Sequence, residues 1–191
     1  NDLMPLKDLV NETRIVALGE ATHGTHEFFT MKHRLVEFLV KEMGFTIFAM
    51  EANWPEAERI NHYVLTGEGD PAELLAGMYF WTWNTQEVLD LIEWVRAYNQ
   101  TVPTDAQVSF TGFDAQIVDV AMENVIAYLN EADRDAVEAA LENYACLEAH
   151  HITGTPTMDA ITAYQELPLT ESQQCGDNVR KVYDRFIQNQ H

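Results

Sequence analysis

"RIVALGEATHGTHEFFTMKHRLVEFLVKEMGFTIFAME", residues 14–51, decides the fold. After Arg14, the apolar run Ile15–Leu18, with two β-branched residues, leads to Gly19 and Glu20, the profile of a buried strand. The period then changes. Between Thr25 and Met43, the residues Phe28, Met31, Leu35, Phe38 and Leu39 recur at steps of three and four, and Gly44 follows as a C-terminal stop. That spacing predicts an amphipathic helix. "FTIFAME" (45–51) is a second apolar run closed by an acid. Strand, helix and strand in under forty residues predict a βαβ unit, whose strands run parallel through a right-handed crossover.

Working outward, "NWPEAERINHYVLTG" (53–67) sets Asn53 at a helix start, Pro55 in the first turn and Gly67 just past the end. "DPAELLAGM" (70–78) repeats that signature on a smaller scale. "NTQEVLDLIEWVRAYN" (84–99) carries Val88, Leu91, Ile92, Val95 and Tyr98 on one face behind the capping residues Asn84 and Thr85. "AQVSFTGFD" (106–114) returns to a strand pattern, and from Asp119 the chain turns helical, with an interruption near Asp133 and a last helix from about Ser172. The expected class is α/β: a mostly parallel sheet with flanking helices and a helical C-terminal extension. Residues 1–191 read as a single domain with a βα core over 1–118 and the extension over 119–191. The "ITGTPT" loop (152–157) is the plausible subdomain boundary.

A chain of 191 residues, 47% of them hydrophobic, can bury a sizeable core. Eleven basic against 31 acidic residues give a formal net charge of -20, which repels phosphate backbones and anionic lipid surfaces and so disfavours nucleic-acid and membrane partners. Cys146 and Cys175 make no metal-ribbon spacing and no disulfide framework, so a reducing, cytoplasmic setting is expected, with a single bridge left open. No stretch reaches the ~20 apolar residues of a membrane span. The chain starts at Asn1 rather than Met, as a piece of a longer protein would.

The residues that carry chemistry gather at predicted strand ends. Three apolar runs finish in Glu20, Glu51 and Asp114, and the carboxyl ends of parallel strands are where open α/β sheets bind ligands. His23 follows Glu20 by three residues. A histidine can take a proton from water near neutrality, and a carboxylate on its second nitrogen fixes the tautomer. The plainer readings are that strand ends face water in an acidic chain and that His23 caps a helix. His26 and His33, seven apart, share a helix face, and this is a weak metal pattern without HExxH, so no metal and no cofactor is expected. His150 and His151 are neighbours on a helical stretch and point in different directions. Within "MYFWTWNT" (78–85), Tyr79, Phe80, Trp81 and Trp83 read either as core or as an apolar wall for a bulky ligand. There is no P-loop, GxGxxG or GxSxG, which leaves activated water as the natural nucleophile of a hydrolase.

Residues 14–51, together with "WNTQEVLDLIEWVRAYN" (83–99) and "VSFTGFD" (108–114), resemble in matching order the N-terminal half of the erythromycin esterase family, which includes proteins named for succinoglycan biosynthesis. The resemblance implies an α/β fold and hydrolysis of a small-molecule ester or macrolide lactone by histidine-activated water. It places the family's GExxH motif on Glu20 and His23, with His23 as general base, and its second acid on Glu51. Where the family has an arginine before a helical histidine, this chain has Lys32 before His33, which keeps the charge and loses the planar fork. Lys32, His26, Asp114 and Trp83 are the candidates for lining the substrate pocket. The resemblance also implies a longer protein with an HNxH-like segment in its C-terminal half, and this chain has no such segment. A distantly similar family of haem-binding, iron-regulated proteins shares the strand-ending motif, so haem or metal binding without hydrolysis is the alternative.

Overall fold

A computed structural model of the chain describes residues 2–149, 162–163 and 165–189. It divides into two compact units, Asn1–Asp114 and Ala115–His191. The "ITGTPT" loop, His150, His151 and His191 lie outside the described residues.

In the first unit a short helix α1 (Leu6–Val10) precedes an extended segment, then α2 (His26–Met43), β1 (Ile47–Asn53), α3 (Trp54–Thr66), α4 (Pro71–Ala76), α5 (Gln86–Asn99) and β2 (Ser109–Asp114). The sheet is two-stranded and parallel, with Ile47 opposite Ser109, Met50 opposite Gly112 and Asn53 opposite Asp114. A register slip lies between Met50 and Asn53. A Cβ at Gly112 would stand 2.2 Å from the Ala52 carbonyl oxygen, so the slip needs a glycine there.

The local signals act as the sequence predicts. Gly44 takes a left-handed conformation (φ 75°) and ends α2, Gly67 does the same for α3, and Thr85 Oγ1 accepts from the Val88 amide at the start of α5. The core unites Val36 and Val40 of α2, Met50 and Ala52 of β1, Ile60 and Val64 of α3, Leu91, Ile92 and Val95 of α5, and Phe110 of β2. The β2 edge turned away from β1 is closed by side-chain amides. Asn61 Oδ1 accepts from the Phe110 amide at 3.0 Å. Asn99 accepts from the Val108 amide at 2.7 Å and donates to the carbonyls of Val64 and Val108.

Two strand expectations are corrected. Residues 15–20 are extended but pair with no strand among the described residues. Burial still alternates along the segment: residues Val16, Leu18 and Glu20 are partly buried, whereas Ile15, Ala17 and Gly19 are exposed, Ile15 at 82%. Periodicity fixes which side faces the core, while a ladder needs a partner strand distant in sequence. The predicted βαβ unit is therefore an extended segment, a helix and a strand. Second, β1 runs two residues past Glu51, so Glu51 lies within the strand on its exposed face and does not end it. Asp114 does end β2.

The second unit is helical among its described residues: α6 (Asp119–Ala132), α7 (Val137–Ala149) and α8 (Leu169–Gln188). Leu129, Ala140, Tyr144, Leu147, Cys175 and Val182 form its core. Cys146 and Cys175, for which the sequence offers no pairing motif, are joined as a disulfide. Asp133 closes α6, and its carboxylate takes Arg185 Nε at 2.5 Å and the Asn189 amide at 2.9 Å. No described helix is long and apolar enough to cross a membrane.

Candidate active site

The turn from residue 20 to residue 26 brings several of the candidate residues together. Glu20 continues the inward face of Val16 and Leu18, which leaves its side chain only 8% exposed. A buried carboxylate requires partners, and two supply them. Lys32 Nζ, from the second turn of α2, reaches Glu20 Oε2 at 2.5 Å, and His23 Nδ1 meets Oε1. Burial pushes the Glu20 carboxyl up, but the hydrogen bonds and charges of Lys32 and His23 outweigh it and hold the group below the usual carboxylate range. Glu20 is thus ionised at neutral pH and accepts from both neighbours. With an anionic acceptor on Nδ1, the neutral His23 ring carries its proton on that nitrogen, which leaves the Nε2 lone pair for another donor. The His23 side chain is half-exposed.

Trp83 braces this ring. It is buried in the core, meets His23 edge-on at 5.7 Å between centroids, and packs against Phe29 at the same separation. Its indole N–H donates to the Glu51 carbonyl oxygen at 2.7 Å. Glu51 therefore joins the site through its backbone. Trp81, two residues earlier, is 76% exposed, and a Cβ at Gly24 would lie 3.8 Å from its ring. Of the aromatic segment, Trp83 is core and Trp81 borders the His23 turn in the open.

His26 and His33 both face α5. His26 Nδ1 binds Glu87 Oε1, and His33 packs edge-on against Trp94 at 5.9 Å. The hydrogen bond to Glu87 raises the His26 pKa against the opposing effect of desolvation, and Glu87 is lowered in return. Burial pushes His33 down. Contacts 26–87 and 33–94 advance seven residues on each helix, so α2 and α5 run side by side in the same direction with their N-termini together. Among the described residues no three of His, Cys, Asp and Glu converge to hold a metal.

The structure thus gathers Glu20, His23, Lys32 and Trp83, attaches Glu51 by its carbonyl, turns His26 toward Glu87 and leaves Asp114 at the end of β2 opposite Asn53. Sequence reasoning missed Glu87 and the Lys32–Glu20 pair. The signal for Glu87 was present: it and Trp94 lie seven apart, in step with His26 and His33.

Parallel strands, flanking helices and a buried carboxylate holding a histidine define an α/β protein with a histidine–carboxylate pair in the turn that opens a helix. The family model described as erythromycin esterase matches residues 40–191, and the chain belongs to that family. The match opens inside α2, beyond the Glu20–His23 turn. Erythromycin esterase type II of Escherichia coli is 33% identical over 117 residues, which are 60% of this chain and 26% of that protein. The crystal structure of a succinoglycan biosynthesis protein is similar over 98% of this chain and 46% of its own, with a TM-score of 0.74 and 34% identity. A Bacillus cereus protein of solved structure gives 0.73 and 34% over 99% of this chain and 44% of its own. The chain spans about a quarter of that curated relative and just under half of the solved structures.

Proposed function

We propose that this chain belongs to a hydrolase of the erythromycin esterase type and carries its water-activating base. The observation that supports this most strongly is the pairing of His23 Nδ1 with a buried, Lys32-held Glu20 carboxylate. In this reading Nε2 takes a proton from water as the oxygen bonds to the carbonyl carbon of an ester or lactone. Glu20 stabilises the resulting imidazolium without itself taking the proton. Collapse of the tetrahedral intermediate breaks the bond to the alkoxy oxygen, and His23 returns its proton to that leaving group. The products are a carboxylic acid and an alcohol, or one hydroxy acid from a lactone.

Lys32 keeps Glu20 charged, and Trp83 holds the imidazole from its edge. The exposed Trp81 ring beside Gly24 offers a surface for the apolar part of a substrate. Relatives named for erythromycin make a macrolide lactone the first substrate to try. A haem- or metal-binding reading has less support, because His26 is engaged by Glu87 and does not face Glu20 and His23 as a third ligand.

The test is turnover of erythromycin and of p-nitrophenyl butyrate by the protein that carries this chain, with and without His23→Ala. A positioned general base accounts for ~10²–10⁴-fold in rate, and that loss is expected. Unchanged turnover in His23→Ala would overturn the assignment.

A further inference from the structure

The second histidine–carboxylate pair lies one step along the same turn. His26 is the first residue of α2 and Glu87 stands in the first turn of α5. Their contact closes the paired N-termini of two helices that run in the same direction. The flanking residues of both helices are those that meet in the candidate site: His23 precedes α2 by three residues, Trp83 precedes α5 by three, and their rings are in edge contact. Glu87 meets His26 from the first turn of its own helix, two residues past Thr85, whose hydroxyl oxygen accepts from the Val88 amide at the start of α5. No contact draws His26 away to His23 or Glu20.

We propose that His26 and Glu87 form a positioning clasp for the reaction. In its protonated form His26 ties the start of α2 to the start of α5 and so holds the His23 ring against Trp83. The inference rests on His23 being the base, as proposed above. Neither clasp residue touches the reacting atoms in this account.

The pH dependence follows from the pair's chemistry. The charged groups facing His26 are Glu87 from α5 and Glu27 on its own helix, and both favour the imidazolium. The clasp is therefore complete below the raised His26 pKa and is lost as pH rises through it. His23, by contrast, must be neutral to accept a proton. Turnover should fall on the alkaline side as His26 loses its proton.

Three variants test this in the intact protein. His26→Gln should lower kcat about three- to fivefold, as expected for an exposed ion pair, with little change in KM and no alkaline limb of its own. His26→Lys keeps a positive charge to about pH 10 and should restore turnover on the alkaline side. Glu87→Gln should bring the alkaline limb to lower pH. An NMR titration supplies a readout without turnover. The His23 ring signals should shift as His26 titrates, and in Glu87→Gln both transitions should move to lower pH together. A profile and His23 signals unmoved by all three variants would overturn the clasp. Loss of turnover in His23→Ala with the coupled titration absent would sink the clasp alone, whereas full turnover in His23→Ala would sink the base assignment.

Discussion

The first unit closes its core over two strands and uses buried side-chain amides to finish what the strands leave open. The second gathers its described helices on a smaller apolar cluster and joins two of them covalently. In the first, Asn61 and Asn99 satisfy backbone groups of the β2 edge that would otherwise lack partners. Order there comes from contacts between residues 9 to 49 positions apart. In the second, α7 and α8 are linked across 29 residues by the Cys146–Cys175 bridge. The difference teaches that the two halves of the chain meet the entropy of folding by different means. In one the folded state gains hydrogen bonds and burial, and in the other the unfolded state also loses freedom.

The largest expected effect lies on the covalent side. Closing a loop of 29 residues stabilises by about 3–4 kcal/mol on the chain-entropy account. Cys146→Ser, or reduction of the wild-type chain, should therefore lower amide-exchange protection in α7 and α8 by that amount and leave α3 and α5 as they were. Equal loss in α3 and α5 would show that the two cores are not separately held. Two free thiols in the native protein, counted under non-reducing conditions, would remove the bridge from the comparison. The same count bears on compartment, since such bridges persist where the surroundings are oxidising.

A smaller effect is expected on the hydrogen-bonded side. Asn99→Ala strands two carbonyls and an amide of the Val64 and Val108 backbone, a cost of about 2–3 kcal/mol. Urea unfolding followed at β2 should show it. A change below a few tenths of a kcal/mol would mean that water replaces the side chain and that the β2 edge does not depend on Asn99.

Much of this was legible in the sequence, for reasons that can be named. Helices α2, α3 and α5 announce themselves because caps and stops such as Gly44, Gly67 and Thr85 act over a few residues. Glu20 and His23 could be singled out together because three positions of one turn bring them into reach. What could not be read depends on distant partners. The 15–20 segment shows a strand's alternation, but no local feature says whether a ladder forms. Glu51 looked terminal because the register slip that carries β1 on to Asn53 depends on Gly112, about sixty residues away. Lys32 was marked by its position in the family motif, yet its contact with Glu20 needs the turn to fold back onto the second turn of α2. The bridge between Cys146 and Cys175 is hidden for the same reason.

The central claim is that Glu20 sets His23 so that Nε2 is the free base, and the tautomer tests it without any substrate. In an ¹⁵N-resolved spectrum of the histidine rings at a pH where His23 is neutral, the account predicts a protonated Nδ1 and an unprotonated Nε2. It also predicts that Glu20→Gln removes this preference. A neutral His23 protonated on Nε2, or a tautomer indifferent to Glu20→Gln, would contradict the account.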